Sequence, residues 1–128
     1  MENTTNLANL PSPLALAYLG DARHALFVRR MLVGRGIVKS GELNRLSLMY
    51  VTAEAQASAF LKIEPLLTES ERDVFRYASN SSHLNKPKHA SGKDYRTATG
   101  FEAIIGMLDY LGKQDRIDEL LAIACTEE

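Results

Sequence analysis

The stretch Leu14-Ala15-Leu16-Ala17-Tyr18-Leu19-Gly20-Asp21-Ala22 decides how the chain folds. It is an apolar run interrupted by one carboxylate. It opens a segment that stays apolar almost all round to about Val33, through Leu26, Val28, Met31 and Leu32. Ser12-Pro13 ahead of it supplies an N-cap and a first-turn proline, and Gly34-Arg35-Gly36 stops it. A helix of that character is central to a core or packed on both sides, for instance against a partner subunit. An ionised Asp21 in such a segment is costly unless a cation, a metal or hydrogen bonds compensate it. That cost makes Asp21 the first candidate for chemistry.

Working outward, a second helix is expected from Ser40 to about Ile63. Its stripe of Leu43, Leu46, Tyr50, Ala53, Ala57 and Phe60 recurs at threes and fours, and Pro65 closes it. Thr68-Glu69-Ser70-Glu71 is a capping box that launches a helix to about Ser79. Residues 80–93, rich in Ser, Asn, Lys, Pro and His, have no periodicity and read as an exposed loop. Asp94 is expected to cap a helix from Tyr95 to Leu111, with Gly112 at the stop, and a last helix covers about Asp115 to Ala124. No run alternates at period two. The expected fold is all-α, a single domain of about five to seven helices over residues 1–128, with residues 1–11 as a flexible lead.

A second carboxylate stands in similar surroundings, in Phe101-Glu102-Ala103-Ile104-Ile105-Gly106. Thr99, Gly106 and Asp109 share its helix stripe. Glycine inside a helix costs about 1 kcal/mol against alanine, so Gly106 asks for a neighbour that needs the space. Gly20 and Ala17 are the matching small residues on the first helix. The two helices are therefore expected to cross there and set Asp21 beside Glu102. Two carboxylates held close repel, raising one pKa unless a cation intervenes. Hard oxygen ligands with few companions suit Mg2+, which keeps several waters and is completed by substrate phosphates. Metal-dependent phosphodiester hydrolysis follows. The plainer alternatives are Asp21 as the N-cap of a helix starting at Ala22, and Glu102 as a surface glutamate.

Composition bounds the rest. The 128 residues are 45% hydrophobic and 24% charged, as in an ordinary globule. Cys125 is the one cysteine, which removes intrachain disulfides and thiolate metal clusters. No signal peptide or membrane-length apolar run is evident, so no membrane partner is expected. The net charge of −1 hides segregation. Residues 23–45 hold six Lys or Arg against Glu42 alone, and residues 76–96 hold five against Asp94 alone. Brought together, these could grip a polyanion. His24, His83 and His89 have no metal-ligand spacing, and no glycine-rich phosphate loop is present.

These blocks in order resemble Mini-ribonuclease III: Leu14 to Ala22, Val51-Thr52-Ala53-Glu54-Ala55-Gln56-Ala57, Lys86-Pro87-Lys88-His89-Ala90, and Asp94 to Gly106. The resemblance implies a ribonuclease III-type catalytic domain acting as a homodimer, with Mg2+-dependent cleavage of double-stranded RNA to 5′-phosphate and 3′-hydroxyl ends. It places the catalytic and metal-binding roles on Asp21 and Glu102. It also implies maturation of large-subunit ribosomal RNA precursor, a ribosomal protein or assembling subunit as partner, and a bacterial cytoplasm or plastid stroma. Lys86, Lys88, Lys93 and Arg96 would contact the RNA backbone.

The sequence departs from the wider family at three places. Larger ribonuclease III enzymes carry a further Glu four residues before the Asp and a further Asp three before the Glu; here these positions are Ala17 and Thr99. In the basic loop block, Arg76-Tyr77-Ala78-Ser79-Asn80-Ser81-Ser82, only Arg76 and Asn80 match as RNA contacts. Glu54 stands where the family tends to carry Lys. The thinned loop favours the competing reading, a catalytically weak or inactive RNA-binding or ribosome-associated helper with the same fold.

Overall fold

The computed structural model describes residues 9–81 and 91–126. Within them the chain is all helix, without strands: α1 (Pro13–Gly34), α2 (Ser40–Val51), α3 (Ala53–Ile63), α4 (Glu69–Ser81), α5 (Gly92–Tyr110) and α6 (Gln114–Ala124). A short 3₁₀ turn, Glu64–Leu66, joins α3 to α4. Of the expected N-terminal lead, residues 1–8 lie outside the described residues, while Leu10 packs against the main core. The Ser12 hydroxyl accepts the Ala15 N–H at 3.1 Å, so α1 begins as its cap residues dictate. Asp21 lies well inside α1, which removes its reading as an N-cap.

Two expected boundaries move. The single helix from Ser40 to Ile63 is divided at Thr52, whose backbone is extended (φ −73°, ψ 159°) and whose hydroxyl caps α3 by accepting the Ala55 N–H at 3.1 Å. The break lets α2 lie along α1 while α3 turns to pack on α5 and α6. At the other boundary Ser91, rather than Asp94, is the cap of α5: its hydroxyl accepts the Asp94 N–H at 2.9 Å and the helix starts at Gly92. Both residues can cap, and the upstream one adds a turn.

The helix at the centre is α5, not α1. From Ala98 to Leu108 every residue of α5 except Glu102 is buried, and α1, α3 and α4 all pack on it. Helix α1 buries one face, Leu16, Ala17, Gly20, His24, Val28 and Leu32, and leaves Leu14, Tyr18, Leu26 and Val33 exposed on the other. Its near-continuous apolarity thus comes from two faces of different use.

One buried ion pair ties α4 to α6. Glu71, 3% exposed, closes the expected capping box, accepting the Thr68 N–H at 2.9 Å while its own N–H reaches the Thr68 hydroxyl at 3.2 Å. Arg116 donates to both its oxygens, at 2.9 and 2.8 Å, and also to the Leu66 carbonyl. Burial alone would raise the Glu71 pKa, but the Arg116 and Thr68 hydrogen bonds outweigh it and hold the carboxyl below the ordinary 4.5. Arg116→Met should therefore cost about 3–5 kcal/mol by stranding a buried charge. The parent's advantage should be full above about pH 4.5 and disappear as acid protonates Glu71. Urea denaturation at pH 7 and pH 3 checks both; equal midpoints for parent and variant at pH 7 would rule the account out.

Candidate active site

The crossing of α1 and α5 is made of glycine. A Cβ built on Gly20 would lie 1.7 Å from the Glu102 carbonyl oxygen, and one on Gly106 would lie 1.8 Å from the Leu16 carbonyl oxygen. Backbone touches backbone at this point, as the paired small residues predict. The contact fixes the register: Asp21 follows the glycine of α1 that rests on Glu102. The two carboxyl groups come within hydrogen-bonding reach of each other, from residues 81 positions apart in sequence.

Their environments differ. Asp21 is exposed, whereas Glu102 is largely enclosed. Burial, then the hydrogen bond and negative charge of Asp21, push the Glu102 carboxyl up to about 9, against the opposing pull of a donor on Gln56. At neutral pH and without a cation this favours the protonated form of Glu102.

Gln56 is a site residue that the sequence reading passed over. It is 2% exposed on α3, and its Nε2 lies 3.3 Å from Glu102 Oε2 and 3.2 Å from His24 Nδ1. The signal was available: Gln56 shares the helical register of Phe60 and Ile63, a core stripe where an amide needs partners. His24 is buried and lies edge-on to Phe101, with ring centroids 5.3 Å apart. Burial lowers its pKa to about 4 despite the Asp21 charge, so the ring is neutral.

The expected RNA contacts are distributed differently. Lys93 and Arg96 are exposed on the first turns of α5, upstream of Glu102 on the same helix. Arg76 and Asn80 are exposed on α4, which packs along α5, and Arg76 is ion-paired with Asp73. Lys86 and Lys88, with His83 and His89, lie outside the described residues. Part of the basic excess in residues 23–45 is committed elsewhere: Arg23 donates to Gln114 at 3.0 Å and to Asp118 at 2.8 Å, on α6.

A sequence model of the ribonuclease III domain matches residues 14–112. The Mini-ribonuclease 3 of Symbiobacterium thermophilum is 44% identical over 119 residues, covering 93% of this chain and 91% of that protein. The chain belongs to the Mini-ribonuclease III family. The Mini-ribonuclease 3 of Brevibacillus brevis is 42% identical, over 94% of this chain and 90% of that one. In three dimensions the chain is similar to a crystal structure of a Fusobacterium nucleatum protein, with a TM-score of 0.83 at 29% identity, covering 93% of this chain and 95% of that one.

The site of this Mini-ribonuclease III family member suits a hard divalent ion. Glu102 is a largely enclosed carboxyl beside the Asp21 charge, and a cation between the two would relieve that repulsion. Among the described residues no group of three His, Cys, Asp or Glu forms a closed metal cage. Two carboxylates with open positions fit Mg2+, which retains water and accepts phosphate oxygens. Thr99, three residues before Glu102, is buried and turns its hydroxyl back to the Tyr95 carbonyl at 2.9 Å.

Proposed function

We propose that the protein is a Mg2+-dependent endoribonuclease of double-stranded RNA in which Asp21 and Glu102 hold the metal. The observation that carries this reading is the meeting of these two carboxyls over a glycine crossing, one of them largely enclosed beside the charge of the other. When bound, the ion supplies Lewis-acid stabilisation of charge on the scissile phosphate and a more acidic attacking water. The chain's own work is positional. The crossing fixes Asp21 and Glu102 without loops, and the surrounding core keeps the Glu102 carboxyl partly dry, which strengthens its hold on a cation.

Lys93 and Arg96, with Arg76, Asn80, Lys86 and Lys88, contact the phosphate backbone of an A-form duplex, which is recognised by shape and charge more than by sequence. The products carry 5′-phosphate and 3′-hydroxyl ends. The exposed side of α1, where Tyr18 is 85% and Val33 60% exposed, is the face on which a second copy packs, giving a homodimer. No described helix is long and apolar enough to cross a membrane. Large-subunit ribosomal RNA precursor in the cytoplasm is the substrate we propose, with a ribosomal protein or assembling subunit as companion.

Structured precursor RNA incubated with the protein should be cut in Mg2+ and left whole in EDTA, with ends that carry a 5′-phosphate. Binding should weaken steeply with salt, in proportion to the phosphates contacted. Cleavage that persists in EDTA would remove the metal from the mechanism. Binding without cleavage in Mg2+ would favour the non-catalytic helper, a reading supported by the thinned basic loop and by the ion pair that engages Arg76.

A further inference from the structure

Helices α1 and α5 supply both proposed metal-binding carboxylates, yet a third helix reaches into the site. The Gln56 amide nitrogen has two N–H groups and two acceptors in range, Glu102 Oε2 at 3.3 Å and His24 Nδ1 at 3.2 Å. A neutral imidazole accepts at only one nitrogen, so this contact puts the His24 proton on Nε2, which faces the Cys125 sulfur at 4.0 Å. Phe101 fixes the ring from its side. The ring nitrogen and the Glu102 oxygen are thus two acceptors that both call for the NH2 end of the Gln56 amide. Reversed, the amide would set its oxygen against the carboxylate.

We propose that Gln56 is a positioning residue for Glu102: its amide, oriented by His24, holds one carboxylate oxygen so that the group stays turned toward Asp21, and so sets the affinity of the pair for a divalent cation. The inference rests on the metal-binding reading above. It assigns to α3 a functional contact that neither the carboxylate pattern nor the basic segments contain. A side chain that only filled space at this position would be apolar, like Phe60 and Ile63 in the same stripe. Partners that orient a metal ligand typically govern affinity or activity by about 10–100-fold.

The test is Mn2+ binding by titration calorimetry without RNA, alongside cleavage kinetics in Mg2+. Gln56→Met keeps the length of the side chain and removes the donor. It should weaken Mn2+ binding by about 10–100-fold and lower kcat at limiting metal, while KM for duplex RNA stays near the parent value. His24→Phe should do the same by removing the acceptor that orients the amide, and it leaves α3 unaltered should Gln56→Met fail to fold. His24→Asn, whose side-chain oxygen can stand at the Nδ1 position, should recover much of the affinity lost in His24→Phe. A lower melting temperature in EDTA with parental Mn2+ affinity in the folded variants would show a purely structural role and overturn the proposal. Asp21→Asn and Glu102→Gln separate the two failures. If both bind Mn2+ like the parent, the metal site itself is misplaced and this inference falls with it. If both lose binding while Gln56→Met and His24→Phe keep it, the positioning role alone is wrong.

Discussion

Gly106→Leu is expected to leave the chain largely unfolded at room temperature, and even Gly106→Ala should be strongly destabilised. A Cβ at this position would meet the Leu16 carbonyl oxygen at 1.8 Å and the Gly20 nitrogen at 3.0 Å. Both are backbone atoms of α1, so no rotamer change relieves the clash. The helices would have to separate along the most extensive helix pairing of the fold, opening voids around Leu16, Ile105 and Phe101. Overpacking of ordinary cores costs about 1–3 kcal/mol. A rigid backbone clash should exceed about 5 kcal/mol, comparable with the whole stability of a small domain. Alanine normally gains about 1 kcal/mol over glycine within a helix, far less than the clash here. Gly41→Ala is the control: nothing lies within 4 Å of its Cβ, and α2 should gain slightly. Circular dichroism and urea midpoints give the comparison. A Gly106→Leu protein with the parent's midpoint would show that the crossing does not hold the two helices as described.

That crossing was legible because its signals are redundant. Gly106 breaks helix propensity in a mostly apolar segment, Gly20 and Ala17 offer the matching surface, and a carboxylate that needs company follows Gly20 directly and precedes Gly106 by one turn. The capping box was legible for the same reason, since Thr68 and Glu71 satisfy each other locally. Tertiary packing hid the rest. The stripe from Leu43 to Phe60 continues across Thr52 without a fault, and only the different partners of α2 and α3 decide that Thr52 caps a new helix. The centrality of α5 was hidden because α1 is equally apolar, and composition does not say which apolar face meets the core. Gln56 was written in the core register of α3, but its role depends on two partners, 32 and 46 residues away in sequence, that periodicity does not connect.

Glu102→Gln should abolish cleavage, by at least about a thousandfold, and at the same time stabilise the metal-free protein. The loss follows from removing one of the two carboxylates proposed to hold the ion. The gain follows from electrostatics. With a folded-state pKa of about 9 against an ordinary 4.5, Glu102 keeps a proton in the folded chain that the unfolded chain releases between those values. The folded state's advantage is full below about pH 4.5, shrinks as pH rises, and is lost as pH passes through about 9. At pH 7 the accumulated cost is at most about 3 kcal/mol. An amide carries no such slope. Its oxygen can accept from Gln56 and its NH2 can donate to Asp21, so the new side chain keeps the hydrogen bonds and discards the titration. In EDTA the stability advantage of the variant should therefore be larger at pH 8 than at pH 6. Adding Mn2+ should raise the parent's melting temperature, because the cation takes the place of the proton, and should leave the variant nearly unmoved. A variant less stable than the parent in EDTA at pH 8 would show that burial does not destabilise the Glu102 carboxylate, and one that gains as much from Mn2+ would show that Glu102 is not the ion's ligand.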